Sequence, residues 1–247
     1  MDKEITMTLR SLKVNHFQAI WAEDREAAKK AALSLIPLEA VVGAGDSTTL
    51  RQVGLYEALV QRGTKLINPY VPELTAGGGR ERFQELARKT LGNDFFLAGT
   101  NAVTMDGKLV NIDRMGNRVS GMIFGAPDVI LVVGRNKIVR NVNDALDRIK
   151  NVIAPAHAKR RGRKTPCATL SRCTECKSED RLCNITTIIE KKPFRTNMTV
   201  IMVNEDLGLG WDPCWPDERI EKIRAAYYEF TWSFPTFPQP AHAATAG

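Results

Sequence analysis

Four of the chain's five cysteines, Cys167, Cys173, Cys176 and Cys183, fall within seventeen residues in the spacing C-x5-C-x2-C-x6-C. Four soft thiolates this close together suit either a tetrahedral zinc ion or a cubane iron–sulfur cluster. Zinc knuckles usually show two C-x2-C pairs, and this segment has one pair with two outlying cysteines, so a 4Fe–4S cluster is the expected cofactor and zinc the alternative. Four unligated thiols are the plain reading. Structural disulfides are disfavoured because the start, MDKEITMTLR, lacks the apolar core of an export signal, and thiols of cytosolic proteins are kept reduced. The lone Cys214 is expected to be structural.

A second concentration of chemistry lies between Thr100 and Val139, where polar turn residues interrupt short apolar runs. Asp106, Asp113 and Lys137 are candidates for proton transfer. Asn101, Asn117, Arg118 and Asn136 are candidates to hold a ligand, with Arg118 and Lys137 supplying positive charge for a carboxylate or phosphate. Asp113, if close to Lys137, would be held ionised there. Each of these residues also has a structural reading, because Asp and Asn are common turn formers, Asp106-Gly107 is a good hairpin turn, and Asp113 can simply brace Arg118.

A third feature is the loop from Gly43 to Thr49, in which Gly43, Gly45, Asp46, Ser47 and Thr48 lead from a short strand into a helix. Free backbone N–H groups and a helix N-terminus favour an anion. The same residues also make a plain helix cap.

The elements that must position these groups alternate between strand and helix. β-prone runs end at Trp21, Val42, Asn68, Ala98, Thr104, Ile112, Val133 and Val203. Helical patterns run from Glu26 to Leu35, Leu50 to Gln61, Arg80 to Leu91, Asn143 to Lys150 and Glu218 to Phe230. The run Val129 to Val133 has the β-branched character of a strand buried on both faces. This order predicts an α/β fold, a mostly parallel sheet with helices on both faces, plus a small cysteine-rich metal module. The expected division is a core over 1–154, a basic linker and four-cysteine module over 155–190, and a returning strand, helix and aromatic tail over 191–247. The Gly77-Gly78-Gly79 segment is expected to move over the site. Trp232, Phe234 and Phe237 in the tail are expected to pack on this subunit or a neighbour.

Composition narrows the function classes. With 43% hydrophobic and 26% charged residues, a wholly disordered chain is excluded. No apolar run approaches the ~20 residues needed to cross a bilayer, so no membrane span is expected and the predicted location is cytoplasmic. Much of the net charge of +7 falls in Lys159, Arg160, Arg161, Arg163 and Lys164. No stacking aromatics or nucleic-acid motif accompany that run, so it reads as a solvated linker and nucleic acid is not an expected partner.

The string TNAxTxDGxLVNxDxxGNRVxxMxFG, followed by VxxVxGxNKIV, resembles the lactate-utilisation or LUD domain family, whose fold group includes ribose-5-phosphate isomerase, glucosamine-6-phosphate deaminase and CoA transferases. Family members usually carry Asp-Gly where this chain has Asp113-Arg114, and glycine where it has Asp46. A subset of the family carries a segment similar to PCATLSRCTECKSEDRLCN, matched here at Pro166, the four cysteines, Arg181 and Asn184. The resemblance implies an iron–sulfur redox enzyme or subunit acting on a small hydroxy acid or related anionic metabolite, beside a redox protein partner or in a homo-oligomer. Two other readings stay open: an isomerase or transferase of the sugar-phosphate and CoA type, and a non-catalytic assembly subunit with a structural metal.

Overall fold

The computed structural model describes residues 2–71, 74 and 79–230. Gly77, Gly78 and the aromatic tail with Trp232, Phe234 and Phe237 lie outside the described residues. The chain begins with α1 (Lys3–Val14), capped by the Asp2 carboxylate, which accepts from the Glu4 N–H at 3.1 Å. β1 (Gln18–Ala22) and α2 (Arg25–Leu35) follow, with Asp24 capping the latter through the Ala27 N–H at 2.7 Å. β2 (Val41–Ala44) leads into α3 (Thr48–Val53) and α4 (Leu55–Gln61). The pattern from Leu50 to Gln61 predicts a single helix, but Gly54 takes a left-handed φ of +68° and splits it, a conformation that costs glycine nothing.

Next come β3 (Lys65–Ile67), α5 (Gly79–Lys89), β4 (Phe95–Ala98) and the hairpin of β5 (Ala102–Thr104) with β6 (Leu109–Asp113). α6 (Asn117–Phe124) connects to β7 (Asp128–Gly134) and the short β8 (Ile138–Val139). α7 (Val142–Arg148) continues through a π-helical turn, Ile149–Ile153, into α8 (Ala154–Arg160). α9 (Pro166–Leu170), β9 (Ile185–Ile189), β10 (Asn197–Val203) and α10 (Asp217–Phe230) complete it.

Six strands form one all-parallel sheet in the order β1-β10-β7-β4-β2-β3, and four form a second, mixed sheet in the order β8-β5-β6-β9. The expected α/β architecture is therefore present. β7 shows why its sequence is apolar throughout. Val129, Leu131 and Val133 face the core shared with α1 and the mixed sheet, while Ile130 and Val132 face α2, α3 and α4. The second sheet alternates in the same way, with Val103 and Leu109 toward the first core and Ala102 and Val110 toward α7 and α10. Burying each such aliphatic side chain contributes about 1.5–3 kcal/mol before entropy is counted.

Two stretches differ from the sequence expectation. The basic run after Pro155 is no extended linker, because its first half is α8, with Pro155 and Ala158 buried. The end of the cysteine segment also contains a strand: β9 pairs with β6 from Asp113↔Ile185 to Leu109↔Ile189 and ties the segment to the mixed sheet. No helix among the described residues is long and apolar enough to cross a membrane.

Candidate functional site

The main-sheet order places β3 outside β2 and sends the chain back to β4 on β2's other side, so the connections reverse direction between β2 and β4. At such a switch point, the loops leaving the carboxyl ends of the strands part and leave a crevice. A cavity of about 1230 Å³ opens there, bounded by Asp46 to Thr49 after β2, Gly99 to Asn101 after β4, Lys137 after β7, and Gly208 and Leu209 after β10. The far wall comes from outside the main sheet: Ile149, Ile153 and His157 from the π-turn and α8, Tyr227 from α10, and Glu179 to Asn184 without Arg181 from the cysteine segment. Pro155 has no N–H for a regular α-turn, consistent with the widened turn that precedes it.

Arg118 is the centre of one side. Its guanidinium donates to Asp113 Oδ1 at 2.5 Å, Asn111 Oδ1 at 2.6 Å, Asn101 Oδ1 at 3.0 Å and the Gly99 carbonyl at 3.1 Å. Asp113 also accepts from the Val119 N–H at 3.2 Å, and the two residues are only 9% and 7% exposed. Of the two partners the sequence leaves open for Asp113, the structure gives it Arg118 and not Lys137. Asp113 pairs with Arg118 because the β6–α6 turn brings residues five apart face to face, whereas Lys137 stands in the turn between β7 and β8. Both terminal nitrogens of Arg118 are occupied by protein oxygens, so it braces the cavity and fixes Asn101.

Lys137 is in a different position. It is 5% exposed, lines the cavity, and its ammonium nitrogen donates to the Leu209 carbonyl. No carboxylate among the described residues lies within ion-pair distance. Burial, with added repulsion from Arg148 and Arg118, lowers its pKa to about 7. Gly208 lies beside it with a φ of +67°, and a Cβ there would meet the Thr49 hydroxyl at 2.5 Å and the Lys137 nitrogen at 3.4 Å.

The remaining predicted residues divide. Asp46, Ser47 and Thr48 line the cavity, with Asp46 3.8 Å from Arg51 and Ser47 capping α3 through the Leu50 N–H at 3.3 Å. Asn117 also lines it and donates to the Tyr70 hydroxyl at 2.5 Å. Gly43 does not reach it, lying inside β2 against Thr90 and Asn93. Gly45 spends its N–H on the Leu97 carbonyl and its own carbonyl on the Tyr56 hydroxyl. Asn136 is fully buried and holds the 207–210 loop, accepting from the Leu207 N–H and donating to the Gly210 carbonyl. Asp106 is at the hairpin tip, its side chain 56% exposed and bonded to Thr104, outside the cavity.

Several lining groups had no distinctive pattern in the sequence. Tyr70 is buried, which pushes its phenol well above the usual range and keeps it protonated. His157 meets the Tyr227 hydroxyl, and burial together with nearby Arg161 and Arg163 lowers its pKa to about 3, so the imidazole is neutral at neutral pH. Arg114, standing where the resemblance has glycine, reaches Asp180 at 3.4 Å, and Arg163 reaches the same carboxylate at 3.5 Å. That shared carboxylate ties the cysteine segment to the β6–α6 turn.

All four cysteines line one small pocket, with Lys150 and Arg181 beside them. Burial, reinforced by the other three cysteines, pushes the Cys183 thiol up to about 11. The donor set fits a thiophilic metal, and the two cations suit the negative charge that bound thiolates would bring. Among the described residues the side chains do not stand at ligating geometry, so the pocket has the right groups without a formed coordination sphere. Its volume, about 20 Å³, is close to that of a single water-sized site. Ala154, Leu182 and Cys183 line this pocket and the large cavity alike.

Comparison with known proteins adds the following. No curated protein matches the chain. A DUF162 family protein from Deinococcus radiodurans is similar in structure, with a TM-score of 0.46 and 13% identity over 81% of this chain and 96% of that one. Ribose 5-phosphate isomerase A from Neisseria gonorrhoeae gives a TM-score of 0.29 and 17% identity over 48% of this chain and 53% of that one. The family model of the LUD domain matches residues 5–203, from α1 through the last strand of the parallel sheet, and the chain belongs to that family.

Proposed function

We propose that this LUD domain protein is a lactate-utilisation-type redox enzyme, or a subunit of one, which binds a small hydroxy acid or related anionic metabolite in the cavity at the strand ends. Cys167, Cys173, Cys176 and Cys183 would hold a 4Fe–4S cluster. When bound, such a cluster supplies one-electron transfer. The observation that carries this reading is the shared wall: Ala154, Leu182 and Cys183 border both the cysteine pocket and the large cavity, so a metal held by the thiols would lie next to a bound metabolite. The chain's own residues position and enclose the ligand. Asn101 is fixed by Arg118, Asn117 is fixed by Tyr70, and Lys137 lines the same cavity. A redox protein partner, or a second copy of the chain, would take the electrons, in a reducing compartment such as the cytoplasm.

One observation favours a second reading. A cavity of about 1230 Å³ is larger than a three-carbon acid requires, and sites for larger ligands run to roughly 300–1000 Å³. This suits a sugar-phosphate or CoA-type substrate, with Lys137 moving a proton and any metal serving only to order the cysteine segment.

Metal and sulfide analysis with a visible spectrum, on protein purified without oxygen, separates the two. The expected result is a brown protein containing iron and sulfide, lost in the Cys173→Ser/Cys176→Ser variant. A colourless protein with stoichiometric zinc, or metal retained in the double variant, would overturn the redox reading.

A further inference from the structure

We propose that Lys137 is a covalent site, its ε-amine condensing with the carbonyl carbon of a small carbonyl compound of the 2-oxo acid class bound in the cavity. The C–N bond forms as the C=O bond breaks; both amine protons leave with the carbonyl oxygen as water, and no oxidant or reductant takes part. The inference rests on the cavity of the proposed function and not on the metal.

Three geometric observations carry it. Lys137 lines the cavity although it is only 5% exposed, and its nitrogen stands beside Gly208, which lines the same cavity, so the amine is at the cavity wall while bulk solvent barely touches the residue. Among the described residues it has no carboxylate partner, while Arg118 and Arg148 are the charged groups acting on it, and repulsion from cations favours the neutral, nucleophilic amine. Its hydrogen bond to the Leu209 carbonyl orients the nitrogen, and the glycine at 208 puts no side chain between that nitrogen and the Thr49 hydroxyl. A lysine that only bound anions would gain from staying charged, and these surroundings do the opposite. Reducing an imine fixes the ligand to the nitrogen; an ammonium holding an anion cannot be trapped in this way.

The test incubates the protein with pyruvate and sodium cyanoborohydride and locates the adduct by peptide mass mapping. At pH 7 Lys137 should be labelled at least about tenfold faster than any other lysine, because ordinary lysines near 10.4 are almost wholly protonated there. The rate should level off above about pH 7. Lys137→Arg, which keeps a hydrogen-bond donor, should lose the fast adduct. Labelling spread evenly over surface lysines, or an unmodified Lys137 while others react, would overturn the proposal. Mapping is repeated on the Cys173→Ser/Cys176→Ser variant, where fast labelling of Lys137 keeps the covalent site standing even if the redox reading has failed.

Discussion

Arg118 and Lys137 are two nearly equally buried cations on one cavity, and the fold treats them oppositely. Arg118 is supplied with a carboxylate, two amide oxygens and two backbone carbonyls at hydrogen-bond distance. Lys137 receives one backbone carbonyl and the repulsion of two guanidinium groups. A buried charge whose partners are all provided by the protein holds the architecture together and has little left for a ligand. A buried amine without a counter-charge is destabilised in its charged form, and this makes it available for chemistry.

Removing each side of this contrast should give unequal effects. Arg118→Ala leaves the Asp113 carboxylate buried and unpaired and removes the donor shared by Asn101 and Asn111. Urea unfolding should show a loss of about 3–5 kcal/mol. A loss below ~1 kcal/mol would mean that the guanidinium is not the brace described, and would return it to the list of ligand-binding groups.

Lys137 should show its cost through pH. Its folded pKa lies near 7, below the unfolded value near 10.5. As pH falls through that window the unfolded chain takes up a proton that the native protein refuses, so native stability declines from pH ~10 to ~7 and levels off below. Compared with Lys137→Met, which lacks this proton, the wild-type protein should lose on the order of 3 kcal/mol across the window. Parallel stability curves for the two proteins would show that Lys137 stays charged in the fold and would remove the contrast with Arg118.

The smallest effect is expected at Asp106, the acid placed by its sequence beside Asp113 as a catalytic candidate. It is solvated at the hairpin tip, so Asp106→Ala should shift stability by no more than about 0.5 kcal/mol and leave labelling of Lys137 unchanged. A clear fall in that labelling would extend the site to the hairpin.

The legible parts of the molecule were those encoded by local patterns. The apolar run of β7, the Asp24 cap and the Asp106-Gly107 turn all reflect preferences acting over a few residues, and the alternation of strands with helices was enough to indicate a parallel α/β sheet. The four-cysteine spacing and the residues after β2, β4 and β7 were visible for the same reason: each lies in a short contiguous string.

What the sequence could not decide was which of these groups meet. Asp113 could pair with Arg118 or Lys137, and only the turn from β6 to α6 gave it to Arg118. His157 and Tyr227, seventy residues apart, carry no shared signal and come together because α8 and α10 pack on the same core. The basic stretch looked like a linker because charge is local, and it is partly helix because Pro155 and Ala158 find apolar neighbours in three dimensions. Residue type and short-range spacing are written in the chain; the supply or denial of a counter-charge to a buried cation depends on contacts between distant segments, which only the tertiary structure fixes.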